Sequence, residues 1–91
     1  MNQDLAKQFK ALGNIKRLAI LSRLSKGEQC SCTLLKGTDI SQPTMSHHLE
    51  TLSKAGLISS YKEGTWKKHH INEMTIDEMI SFLVSLKQEI K

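Results

Sequence analysis

Two cysteines separated by a single residue, Cys30 and Cys32, are the side chains of this 91-residue chain best suited to chemistry. Thiolate sulfur is a soft donor that selects soft, thiophilic ions over magnesium or calcium. So close a pair makes a poor structural disulfide, and in a reducing compartment it reads as free thiols or metal ligands. The same pair could instead sense oxidants, or be two small half-buried residues with no reactive role. Residues 28–36 read as a two-turn helix anchored by Leu34 and Leu35. Side chains two apart on a helix point about 200° apart, so an ion gripped by both sulfurs is expected to unwind the start of that helix. The four histidines form two adjacent pairs, His47-His48 and His69-His70. Neighbours diverge by about 100° on a helix and face opposite sides of a strand, so neither pair is a chelate by itself. There is no phosphate-cradling loop, no recognisable carboxylate pair and no nucleophile with an identified base, which points away from an enzyme.

The stretch from Ser41 to Leu57 has the clearest punctuation in the chain. Ser41 can cap a helix, Pro43 fits its first turn, and Gly56 can close it in the left-handed conformation. Met45, Leu49 and Leu52 form one apolar stripe. Gln42, Thr44, Ser46 and His47 lie off that stripe with compact groups that donate and accept hydrogen bonds, the inventory for reading base edges or holding phosphates in a major groove. Taken alone, these are also the residues of an ordinary solvated face. The flanking segments decide between the two.

Ahead of this stretch, Leu5, Phe9 and Leu12 keep helical spacing up to Gly13. Asn14 then caps a second helix with Ile15, Leu18, Leu21 and Leu24 as its stripe, Ala19 beside it and Gly27 as its stop. Lys16, Arg17, Arg23 and Lys26 fall mostly off the stripe and are expected to be a solvated basic face. A short helix, a connection through Thr38, Asp39 and Ile40, and the Ser41 helix together make a helix-turn-helix. Beyond Gly56, residues 57–62 and 66–72 read as strands joined at Glu63-Gly64-Thr65. Lys67, His69 and Ile71 share one face there, and Trp66, Lys68 and His70 the other. Such a hairpin looks like the wing of a winged helix, with Lys62, Lys67 and Lys68 placed to meet phosphate. Thr75 and Glu78 have the spacing of a capping box opening a last helix. Its apolar residues Ile76, Met79, Ile80, Phe82, Leu83, Val84, Leu86 and Ile90 exceed one stripe, so the first and last helices are the expected dimer interface.

The totals agree with this picture. Thirteen Lys plus Arg against nine Asp plus Glu give a formal charge of +4, and the pI is near 9.2. A moderate positive field suits a polyanion. One proline, no repeat and no low-complexity tract favour a single domain over residues 1–91. With no apolar run long enough for a signal peptide or a membrane span, the expected location is cytoplasmic.

The segments GNIKRLAIL, EQCSC, ISQPTMSHHLETLSKAGLI and YKEGT, in this order and spacing, resemble the ArsR/SmtB family of bacterial winged-helix repressors over residues 5–90. The resemblance implies a mainly α fold of five helices and a two-stranded wing. It implies a homodimer that binds double-stranded operator DNA and leaves it when a metal or metalloid binds. It places Ser41, Gln42, Thr44, Ser46 and His47 on the recognition element and Lys62, Lys67 and Lys68 on the wing. The Glu28–Leu34 box is similar to that of arsenic-responsive members, so Cys30 and Cys32 fall on two thiolate ligands for As(III) or Sb(III) as inducer, with no permanently bound cofactor. Some members carry a third cysteine where this chain has Leu35. The last helix has Asp77, Glu78 and Glu89 but no histidine, so no zinc, cobalt or nickel site is assigned to it. The N-terminal arm has no cysteine, so the cadmium and lead type of site is not assigned either. The alternatives are thiol oxidation as the signal, ligand-independent DNA binding, and sequestration of metal without DNA.

Overall fold

The computed structural model describes residues 2–90. Met1 and Lys91, the ends of the expected 1–91 domain, lie outside the described residues. In chain order the elements are α1 (Asn2–Leu12), α2 (Ile15–Ser25), α3 (Ser31–Leu35), α4 (Gln42–Lys54), β1 (Ile58–Glu63), β2 (Trp66–Ile71) and α5 (Glu73–Glu89). This is the expected winged helix-turn-helix.

Local chemistry sets most of the boundaries. The Asn14 side chain accepts hydrogen bonds from the backbone N–H of Lys16 at 2.9 Å and of Arg17 at 3.2 Å, which starts α2. Ser41 caps α4 with Pro43 in the first turn, and Gly56 follows its end at φ +80°. The hairpin turns through Gly64 at φ +65°, so Glu63 pairs with Trp66 and Ile58 with Ile71.

The core forms where α2, α3, α4 and the root of the hairpin meet. Leu34, Met45, Leu52, Leu57 and Ile58 are fully buried there, and burial of each such side chain favours folding by about 1.5–3 kcal/mol. Ile40 packs against this core from the turn between α3 and α4. Two expectations about helix faces need correction. The buried residues of α2 are Ile20, Leu21 and Leu24, while Ile15 is 82% and Leu18 48% exposed. The helix is rotated away from the expected stripe, so that Ile20 enters the core. The capping box at Thr75 does not form either. Helix α5 begins earlier, at Glu73, and the Thr75 hydroxyl donates instead to the Gly56 carbonyl at 2.7 Å. Asn72 Nδ2 donates to the same carbonyl at 2.9 Å, and Asn72 Oδ1 accepts from Ser59 Oγ at 2.7 Å. These bonds fix the root of α5 beside the end of α4.

Past Met79, α5 leaves the core. Ile80, Phe82, Leu83, Val84 and Leu86 are exposed along it, and Phe82 meets Phe9 of α1 with ring centroids 6.1 Å apart. None of the described helices is long and apolar enough to cross a membrane.

Candidate nucleic-acid interface and dithiol site

Helix α4 presents two unlike faces. Met45, His48, Leu49 and Leu52 are buried, while Gln42, Thr44, Ser46 and His47 are exposed together near the N-terminal end. Ser41 holds that end by accepting from Thr44 N–H at 3.4 Å and donating to Thr44 Oγ1 at 2.9 Å. His48 parts from its neighbour and turns inward, where its Nδ1 lies 3.2 Å from Arg17 Nη1. A guanidinium only donates, so this nitrogen accepts and the ring is neutral. Burial, and then the charge of Arg17, hold the His48 pKa below its ordinary value. Arg17 also donates to Ala11 O at 2.5 Å and to Lys10 O at 3.4 Å. It ties the end of α1 to α4 and is no free member of a solvated basic face.

Two of the three wing lysines share one face of the hairpin. Lys62 and Lys67 lie opposite each other in the strand register and are exposed. Lys67 joins Gln42, Ser46, Trp66 and Cys32 around a hollow of about 380 Å³ between α4, α3 and the wing. Lys68 lies on the other face of the strand and pairs with Glu63 at 3.0 Å, an ion pair that raises the lysine pKa.

The cysteine segment differs from the expected two-turn helix. Helix α3 begins at Ser31 and has only five residues. Cys30 stands before it as the N-cap in extended conformation, φ −82° and ψ 137°, and its Sγ accepts from Cys32 N–H at 3.3 Å. A sulfur at the cap and one in the first turn point to the same side, with Cα atoms 5.2 Å apart, a span that a disulfide bridges. The two sulfurs are joined in the structure. Unwinding the helix is therefore not needed to bring them together, and the pair is sterically capable of a disulfide after all.

Two residues that support this segment escaped the sequence reading. Arg23 donates to Leu34 O and Thr33 O, each at 2.7 Å, and pairs with Glu28 at 2.8 Å. One guanidinium thus holds the last carbonyls of α3 and the segment leading into Cys30. The hydrogen bond from Arg23 holds the Glu28 carboxyl below its usual pKa. The second is His69, buried to 1% exposure, with Nε2 2.7 Å from Ser31 Oγ and Nδ1 2.7 Å from Ser60 Oγ. Burial, and then Lys67, keep its pKa low. The period-two pattern that puts His69 on the face of inward-pointing Ile71 was the available signal. For Arg23 there was none beyond a basic residue five positions before an acidic one.

Among the described residues no group of three or more His, Cys, Asp or Glu gathers as a metal site.

Comparison with known proteins agrees with this architecture. The profile of the arsR family of bacterial regulatory proteins matches residues 14–60. An uncharacterized HTH-type transcriptional regulator of Methanocaldococcus jannaschii is 38% identical over 89 residues, 97% of this chain and 96% of that protein. The arsenical resistance operon repressor of Staphylococcus aureus is 37% identical over 81 residues, 89% of this chain and 78% of that one. In solved structures, the homodimeric winged helix-turn-helix DNA-binding domain of a possible ArsR-family regulator from Mycobacterium bovis superposes with a TM-score of 0.76. It is 28% identical, and the match covers 96% of this chain and 81% of that one. The profile spans α2 to β1, the segment that carries the cysteine pair and the recognition helix, and the chain belongs to the arsR family of transcriptional regulators.

Proposed function

We propose that this regulator is a cytoplasmic repressor that binds double-stranded operator DNA as a homodimer and is released when As(III) or Sb(III) is taken by Cys30 and Cys32. The observation that carries the reading is the convergence of two soft donors at the start of α3, one of which, Cys32, lines the hollow that Gln42, Ser46 and Lys67 share. Similarity to an arsenical resistance operon repressor supports the choice of effector. A trivalent metalloid held by two protein sulfurs keeps one valence, which Leu35 cannot fill. Water or a small thiol supplies it. Gln42, Thr44, Ser46 and His47, with Ser41 fixing the helix end, read or grip the duplex, and Lys62 and Lys67 hold phosphate. Lys68 is a weaker phosphate contact, since Glu63 already neutralises it.

For the dimer, the support is apolar surface that a monomer leaves wet. Ile80, Leu83 and Leu86 along α5, beside Leu5 and Phe9 of α1, fit burial against a second copy, and the similar Mycobacterium bovis domain is homodimeric. Residues 1–91 then act as one DNA-binding and dimerisation domain.

A gel shift with the chain's own upstream DNA, titrated with As(III), Sb(III), Cd(II) and Zn(II), tests the proposal. Sequence-specific binding relieved by As(III) or Sb(III) is expected. Binding that none of the four ions weakens would overturn it. A second reading has one specific observation in its favour, the joined sulfurs. In it, oxidation of the pair to a disulfide releases the DNA. Affinity measured in reductant and after a mild thiol oxidant separates the two, since the metalloid reading predicts release only from the reduced protein.

A further inference from the structure

The His69 imidazole takes no part in the function proposed above, yet it is the most enclosed of the buried polar side chains among the described residues. Its ring spans two elements, bonding to Ser31 Oγ in α3 and to Ser60 Oγ in β1 at 2.7 Å each. Its own backbone N–H donates to Gln29 O at 2.9 Å, and Cys30 makes an isolated bridge with Lys68. A neutral imidazole donates from one nitrogen and accepts at the other, and a hydroxyl rotates to suit either, so the line Ser31–His69–Ser60 is satisfied throughout. An apolar ring would fill the same space. What the histidine adds is directional bonding along the line from the cysteine pair to the wing.

We propose that His69 is a positioning residue that carries the state of the Cys30–Cys32 segment to the wing through Ser31 and Ser60. The inference rests on the reading of those cysteines as the effector site. Ser31 is the residue between the two sulfurs. Seating an ion bonded to both sulfurs requires a segment whose sulfurs are in contact to open, and that moves Ser31 first. Either His69 follows its hydroxyl, or a buried ring nitrogen loses its partner, which is costly in a low-dielectric interior. If His69 follows, the shift reaches Lys67 two residues along β2, and Lys62 opposite it in the register. If the bond breaks, β1 and β2 lose their side-chain link to α3. In both cases Lys67 leaves the place it holds beside α4, and Lys62, its partner in the register, moves with it. The bonded and broken arrangements supply the two states that coupling between sites requires.

The test uses the full chain as His69→Phe, which keeps the ring volume and removes both bonds, and as Ser31→Ala, which cuts one end only. Operator affinity is read by fluorescence anisotropy with and without arsenite, and arsenite binding by titration calorimetry on the reduced protein. Both variants are expected to bind operator and arsenite. The ratio of the two operator affinities should collapse toward one, from a starting value of about 5- to 150-fold, the usual range of such coupling. A merely structural role would change operator binding or folding and leave the ratio unchanged. An undiminished ratio in both variants, with arsenite bound, would overturn the strut alone. A ratio lowered by His69→Phe but not by Ser31→Ala would overturn the route through Ser31. If His69→Phe does not fold, Ser31→Ala decides by the same ratio. Wild-type protein that binds no arsenite would overturn the effector-site reading, and this inference with it.

Discussion

Helices α3 and α4 both start on a small side chain that caps the first turn, sulfur in Cys30 and hydroxyl in Ser41, yet they are held by opposite means. Helix α4 has thirteen residues and sinks Met45, His48, Leu49 and Leu52 into the core. Helix α3 has five, of which Leu34 alone is buried, and it is otherwise kept in place by the Arg23 fork and the Ser31–His69 bond. Apolar packing is non-directional and survives small shifts, whereas a hydrogen-bonded clamp is either made or lost. An element held by a few polar ties has a made and a broken arrangement, while an element set in the core moves as a body.

Substitutions can break that contrast in graded steps. Leu52→Ala, at a fully buried position of α4, should lower unfolding stability by about 2–5 kcal/mol in urea titration, because truncation there leaves a cavity. Arg23→Ala should cost less, about 1–3 kcal/mol, by leaving the Thr33 and Leu34 carbonyls without their donor. Arg23→Lys should recover only part of it, since an ammonium lacks the fork that reaches both carbonyls and Glu28. Loss of the cap in Ser41→Ala should remove about 1 kcal/mol, readable as a small drop in urea midpoint.

Acidification should weaken both sides of the contrast. His48 and His69 both have folded-state pKa values pushed below the ordinary 6.5, chiefly by burial. The unfolded chain therefore takes up protons first. The stability these two residues contribute is intact above about pH 6.5 and is lost as pH falls toward their folded values. Urea midpoints should drop between pH 7.5 and 5.5, and His48→Gln should flatten that drop. Smallest in stability is Lys62→Ala, expected to leave unfolding unchanged and to reduce the salt slope of operator binding by about 0.9, one phosphate contact.

What the sequence made legible was set by neighbours along the chain. The Asn14 and Ser41 caps, the Gly56 and Gly64 turns and the Met45–Leu49–Leu52 stripe depend on residues within a turn or two, and each formed as read. Expectations failed where a distant element set the outcome. Helix α3 starts at Ser31 because Gln29 and Cys30 are engaged by β2, nearly forty residues later, which draws Cys30 out of the helix. Thr75 has the spacing of a capping box, but Gly56 takes its hydroxyl. Ile20 displaced Ile15 and Leu18 from the core because three-residue spacing alone does not fix a helix's rotation against its neighbours. At the candidate site, the exposed set Gln42, Thr44, Ser46 and His47 was visible from periodicity. The supports at Arg23 and His69 were not, since their partners lie about ten and forty residues away.

The central claim is that Cys30 and Cys32 are where the signal enters and α4 with the wing is where it leaves. The direct measurement is operator affinity, by fluorescence anisotropy in reductant, for the wild-type chain and for the Cys30→Ser, Cys32→Ser double variant, with and without arsenite. Equal affinity of the two proteins is expected without arsenite, and loss of affinity on adding it in the wild type alone. A double variant that arsenite still releases to the wild-type extent would contradict it.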